Sequence, residues 1–273
     1  LLTIWEAAFR HFQWRSFIFP APSGVLDAML NLLGINSGFA LPLHAGWPAA
    51  PATNMNQGPL FHRVLHSELL EANLVSGIRL AVGFSISILL GAFLGIAMWR
   101  FAPLDEFLGP LFLGLQTLPS VCWVPLAVLL FGLSEQGILF VLVLGSAFGI
   151  AISLRDGLRT IPPLYRRAGL MLGADGWRLY RHVILPASMP ALASSLRQGF
   201  SFAWRSLMGA ELILMADRHG LGWILADGQN EGTVAEVVAI MIIMVVIGML
   251  ADRLIFGPFE RRVHARFGLL AIA

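Results

Sequence analysis

Residues 165–190 read YRRAGLMLGADGWRLYRHVILPASMP. This arginine-rich, glycine-punctuated segment lies between two long apolar runs. A basic loop between membrane spans belongs on the cytoplasmic side. Pro162-Pro163 stops the preceding helix and restarts the chain. Residues 164–172 then suit a short helix ended by Gly173, and 174–182 suit a second. Leu185-Pro186 and Pro190 open the next span, where proline is tolerated in a first turn. A loop patterned as paired amphipathic helices reads as a docking surface for a cytoplasmic partner. A solvated basic loop that only fixes topology is the other reading of the same spacing.

Composition places the rest of the chain in lipid. Of 273 residues 57% are hydrophobic and 12% charged, with a mean hydropathy of +0.77. Soluble domains are about a quarter charged. Net charge is +2, and all 18 basic residues are Arg, because the sequence contains no Lys. A phosphate-binding Walker A loop needs a Lys, so this chain is no P-loop ATPase by itself, and Schiff-base chemistry is excluded. No basic face continues beyond the loops, which argues against nucleic acid. Cys122 is the only cysteine, so an intrachain disulfide or thiolate cluster is excluded.

Five stretches are long enough to cross a bilayer at ~20 residues each: 73–99, 107–131, 137–154, 187–215 and 233–256. Residues 1–9 read as the last turns of a sixth helix that begins upstream, since the chain opens on Leu1-Leu2-Thr3 without Met. Arg155, Arg159, Arg166, Arg167, Arg178 and Arg181 place the 155–182 loop inside. Arg253, Arg261, Arg262 and Arg266 do the same for the tail. Both ends then lie inside, with Arg10 and Arg15 as exceptions on the outer side. The outer region includes a Pro/Gly/Ala/Asn-rich stretch over 36–60 and a short helix over 25–33 with Ser23 as its N-cap. The expected organisation is 1–72 for the end of the first span plus outer segments, 73–268 for the core with its loop at 155–186, and a tail at 269–273. No internal repeat is visible, which argues against inverted-repeat carriers.

Two spans hold polar groups. Arg197, Ser201, Trp204, Met208 and Glu211 recur within about 80° on one helical face. An intramembrane charge costs at least ~2.5–3.5 kcal/mol at the bilayer centre, so this stripe should line a subunit interface or a translocation path. Alternatively, Arg197 and Glu211 pair with neighbouring helices and hold the bundle. Arg205 lies off the stripe, to snorkel or pair elsewhere. Gln116, Thr117, Ser120, Cys122 and Trp123 surround Pro119 and Pro125. They either line a cavity beside a broken helix or repair the backbone of a kink. His62 and His66 have metal-pair spacing without a carboxylate motif, so solvated helix surface is the better reading and no metal site is assigned. No polar catalytic cluster stands out. An ion-coupled carrier or channel would have Glu211 as its main intramembrane acid.

The ordered motifs carry a resemblance. Ala168-Gly169, Leu172-Gly173-Ala174 and Val183-Ile184-Leu185-Pro186 with Pro190 resemble the "EAA" loop of ABC importer permeases. Pro20-Ala21-Pro22-Ser23, the Ser76/Arg79/Gly83-Phe84 run, Leu118-Pro119, Trp123-Val124-Pro125-Leu126, Phe131-Gly132, Ala203-Trp204, Ala210-Glu211, Gly220-Leu221-Gly222 and Glu260-Arg261-Arg262 follow in family order. The match is specifically similar to the nitrate/sulfonate/taurine/bicarbonate branch. Arg167 replaces the family's usual Glu, and Gly169 its usual Ala, which affects the details of loop geometry.

The resemblance implies an all-α integral membrane protein with the type I ABC importer transmembrane-domain fold, multi-pass in the inner (plasma) membrane and not itself an enzyme. It implies a homodimer, an extracytoplasmic binding protein, and separate ATP-binding cassette subunits that hold ATP and Mg. Those subunits would engage Arg166, Arg167, Ala168, Gly169, Leu172, Gly173, Ala174, Asp175, Leu185 and Pro186. The substrate would be a small anion, although related permeases also handle neutral or cationic vitamin precursors.

Overall fold

Apolar runs without interior helix breakers fold as long helices, because lipid leaves each backbone polar group to be satisfied within its own segment. The structure, a computed structural model, describes residues 4–6, 9, 11, 20–33, 35, 67–214, 219–230 and 234–267. The positions 10, 15, 36–60, 62 and 66 singled out above lie outside the described residues, as do 268–273. In order come α1 (Pro22–Leu32), α2 (Glu68–Arg100), α3 (Ala102–Thr117), a 3-10 turn (Ser120–Trp123), α4 (Val124–Phe131) and α5 (Glu135–Arg159). Then follow α6 (Pro163–Met171), α7 (Gly176–Leu179), α8 (Leu185–Leu214), α9 (Leu221–Asn230), α10 (Val234–Ala251) and α11 (Gly257–Arg266).

Leu69–Arg100, Glu135–Arg159 and Val234–Arg266 are long and apolar enough to span a membrane. The crossing expected at 107–131 is instead α3 and α4 bent by 103° at a short break. The 30-residue α8 is long enough but is not in that set, and it carries Arg197, Arg205 and Glu211. Its stability in lipid depends on where those charges go.

The chain divides into two compact units, 1–78 with 211–246 and 79–210 with 247–273. In the first, Val25 and Ala28 of α1 pack on Ala235 and Ala239 of α10. Ser23 is not the N-cap expected from sequence. Ala21 takes that position and Pro22 begins the helix, because proline's missing N–H is one a helix start leaves unpaired anyway.

In the second unit, α2 lies against α5 through small residues. A Cβ at Gly95 would come within 2.7 Å of the Ala151 carbonyl oxygen, so only glycine permits this approach. Close backbone contact is how helices associate where lipid removes the hydrophobic drive. Ser146 adds a hydrogen bond to Ser87 at 2.8 Å. Ion pairs tie α5 to α2 and to α3. Arg79 grips Glu135 at 2.7 and 2.5 Å. Arg155 donates to Asp105 at 3.0 Å, and Arg159 reaches the other oxygen of Asp105 at 2.5 Å.

Removing one partner from a buried pair strands the other's charge, which costs more than the pair itself contributes. Arg155 keeps a half-exposed second partner in Asp156 at 2.8 Å, so Asp105→Ala should lower unfolding stability by about 2 kcal/mol, and the double change Asp105→Leu with Arg155→Met should recover most of it. Thermal unfolding in detergent reads both. An unchanged midpoint for the single variant would show that Asp105 does not hold α3 to α5.

Candidate translocation cleft and coupling loop

The 160–184 loop owes its shape to proline and glycine. Pro162 is extended at φ −57° and ψ 132°, and α6 starts at Pro163. Gly173 ends the turn at φ +77°. The Ala174 N–H reaches the Gly169 carbonyl and the Gly173 N–H reaches the Leu170 carbonyl, both at 3.0 Å, the paired bonds of a Schellman cap. Gly169 is buried, and a Cβ there would lie 2.6 Å from Leu179 Cδ1. The departure from Ala at 169 thus lets α6 close onto the following helix. Arg166, Arg167, Ala168, Leu172, Gly173, Asp175 and Leu185 are exposed, while Ala174 and Pro186 are half-buried. Met171, Leu172 and Trp177 are 88%, 87% and 76% exposed, a concentration of apolar surface of the kind that marks an interaction site.

The second loop helix differs from expectation. After α7 the chain passes through a π-helical segment, Tyr180–Ile184, directly into α8, and the Leu185 N–H bonds the Tyr180 carbonyl. Pro186 therefore lies inside a continuous helix rather than in a first turn. The wide turn relieves the collision between a proline ring and the carbonyl four residues earlier. The same device recurs at Asp252–Phe256, where the Gly257 N–H bonds the Asp252 carbonyl just before Pro258.

The five-residue stripe on α8 does not converge. Arg197 binds both oxygens of Asp252 at 2.7 Å and Glu260 at 2.8 Å. Ser201 is exposed, while Trp204 and Met208 are half-buried. Glu211 is 1% exposed. Its carboxylate accepts from Ser76 Oγ at 2.9 and 2.8 Å and from the Gly222 N–H at 3.0 Å. Ser76 Oγ in turn accepts from the Leu221 N–H at 2.9 Å. Together they cap the start of α9, where helical N–H groups favour an acceptor and negative charge.

The bend between α3 and α4 creates the cleft. Leu118 is extended at ψ 127°, as a residue before proline prefers, and α3 stops. Thr117 Oγ1 donates to the Gly114 carbonyl at 2.6 Å, satisfying an end-of-helix acceptor. Gln116, Thr117, Ser120 and Trp123 border a cleft of about 300 Å³, closed by Leu144 and Gly145 of α5 and by Phe202, Arg205 and Ser206 of α8. None of the stripe residues lines it.

Arg205 is the residue that sequence reading did not place here. Its Nε–H donates to the Ser201 carbonyl at 3.1 Å, and its guanidinium stands 5.1 Å from the Phe202 ring centre. Among the described residues it meets no carboxylate, whereas Arg79, Arg155 and Arg197 each do. A signal was available, because neither three nor four positions away does Arg205 have an acid: Ser201, Phe202, Met208 and Gly209 occupy those places.

The family model for the binding-protein-dependent transport system inner membrane component matches residues 87–264. The chain belongs to that family. It is thus the inner-membrane component of a transport system. It is 28% identical over 177 residues to the nitrate import permease protein NrtB of Synechocystis, covering 65% of this chain and 64% of that protein. To the bicarbonate transport system permease protein CmpB of Synechococcus elongatus it is 28% identical over 191 residues, covering 70% and 68%. The chain thus spans about two thirds of the length of these relatives. Among solved structures, a chain of the MetNI methionine ABC transporter in inward facing conformations superposes with a TM-score of 0.58 at 19% identity, over 72% of this chain and 95% of that one. The permease therefore has the type I ABC importer transmembrane fold.

Within this permease Glu211 is stitched to backbone and hydroxyl donors. Glu211→Ala should cost about 3 kcal/mol of stability by stranding them, and Glu211→Gln distinctly less. Melting of the purified subunit reads this. A Gln variant that melts normally but no longer transports would assign Glu211 to ion coupling instead.

Proposed function

We propose that this subunit forms the translocation path of an ATP-driven importer for a small anion, working by alternating access. The observation behind this reading is the guanidinium of Arg205 facing the cleft without a carboxylate. A charge inside a membrane bundle costs several kcal/mol unless compensated. Arg79, Arg155 and Arg197 are compensated by acids on other helices. Arg205 is left to be compensated by what passes. One cation with a few hydroxyl and amide donors suits transport, since a permeating ion must also leave. The named substrates of the nitrate and bicarbonate relatives support the same class.

Two copies would form the path, and an extracytoplasmic binding protein would deliver the anion. Separate ATPase subunits, holding ATP and Mg, would grip the α6–α7 loop, whose exposed Met171, Leu172 and Trp177 need an apolar cover. Because α7, the π segment and α8 are continuous, displacement at Gly176 reaches Arg205 along one rod, roughly 40 Å long at 1.5 Å per residue. The partner must hold this rod differently in its two nucleotide states, or nothing couples.

Two variants separate the parts. Gly173→Trp forces a side chain onto a backbone at φ +77°. It should leave membrane insertion intact and abolish ATPase association or coupling, read by co-purification and vesicle uptake; normal transport would remove the loop from the mechanism. Arg205→Gln should cut anion uptake at least tenfold while ATPase subunits still co-purify, and undiminished uptake would remove Arg205 from the path.

A further inference from the structure

Ser206 follows Arg205 on α8 and is 2% exposed, yet it lines the cleft. Its hydroxyl bonds no described residue. Ser206 differs in this from Ser76, Ser87, Ser146, Ser188 and Ser195, equally buried, whose hydroxyls all have partners. That hydroxyl is not sealed off: it is open to the cleft, where a ligand oxygen can accept its hydrogen bond in place of water.

We infer that Ser206 is a specificity-determining residue of this cleft, and that the ligand class is a small oxyanion without an ammonium group; the inference rests on the anion reading above. Arg205 has its Nε–H engaged by the Ser201 carbonyl. The two terminal nitrogens remain, and they form the edge that matches two oxygens on one atom. Ser206 adds a recessed donor beside that edge. Gly145 on α5 makes room for it, because a Cβ at 145 would collide with the Ser206 hydroxyl and stand 3.1 Å from Ser120 Cβ. Ser120 and Gln116 bring further unengaged donors to the rim, whereas the Thr117 hydroxyl proton is already held by Gly114.

Among the described residues, no Asp or Glu lines the cleft. A zwitterion such as an aminosulfonate would bring an ammonium with no carboxylate to receive it, next to the fixed charge of Arg205. Like-charge juxtaposition of this kind is how a site rejects the wrong partner. Plain oxyanions of the size of nitrate or bicarbonate meet only donors.

The test is equilibrium binding to the purified permease with its ATPase subunits in nanodiscs, without binding protein. Nitrate, bicarbonate, methanesulfonate and taurine serve as probes. Nitrate or bicarbonate should bind at least tenfold more tightly than taurine, and methanesulfonate more tightly than taurine. Ser206→Ala should weaken the preferred oxyanion about tenfold, the loss of one hydrogen bond to a charged group, with an unchanged melting midpoint. If Ser206→Ala binds normally while Arg205→Gln has lost binding, Ser206 is not a reader of the ligand and the anion path stands. If Arg205→Gln binds normally, the anion reading itself fails and this inference with it. Taurine binding as tightly as methanesulfonate overturns the ligand class, and so does an unmodified complex that binds none of the probes.

Discussion

An ionised side chain inside a membrane bundle must find an opposite charge, and most of this structure is arranged around that demand. Arg79 meets Glu135, Arg155 meets Asp105, and Arg197 meets Asp252 and Glu260. The net stability from such pairs is small, because desolvating two ions offsets most of their attraction. What they confer is register. A helix slipped by one residue would strand charges, at a cost of several kcal/mol for each that ends up buried. With those arginines accounted for, Arg205 stands out as the arginine that lines the cleft and, among the described residues, meets no carboxylate.

Proline shapes the backbone in two opposite ways. At Leu118-Pro119 the chain leaves helical geometry, α3 ends, and Pro125 sits in the first turn of α4. The outcome is a 103° bend whose break residues line the cleft. At Pro186 and Pro258 the helix instead widens into a π turn and continues. The local chemistry of the ring is the same in each case. Packing differs, because Ile184 is buried just before Pro186, and Phe256 stacks on Phe200 at 4.6 Å just before Pro258. Holding these side chains in contact favours a continuous rod over a break.

Much of the loop was legible in the sequence because its determinants are local. Pro162-Pro163 and Gly173 act through their own φ angles, and the observed cap follows directly. The polar cluster around Pro119 was legible for the same reason, since Gln116, Thr117, Ser120 and Trp123 lie within one broken helix and all border the cleft. The stripe on α8 was not. Helical periodicity places Arg197 and Glu211 on one face but says nothing of Asp252, 55 positions along, or Ser76, 135 positions away. Ser23 failed as a cap for a local reason, since Pro22 already supplies the helix start. Arg205 was passed over because it lies off the stripe. Its significance comes from the absence of a partner, which can be judged only when every helix has been placed.

These features combine into a requirement on mechanism. A lone guanidinium with hydroxyl neighbours binds an anion weakly, so it cannot by itself extract substrate from dilution. Capture at low concentration falls to a binding protein of the kind that gives the family its description. On the proposed anion function, the membrane subunit would have the complementary task of holding the ion briefly and then releasing it on the other side. Weak binding serves that task only if the geometry at Arg205 differs between two states. On the proposed mechanism the continuous helical run from Gly176 to Leu214 would supply such a difference without any relay of side chains, because it bears both the loop end that a partner would push and the two adjacent cleft-lining residues, Arg205 and Ser206.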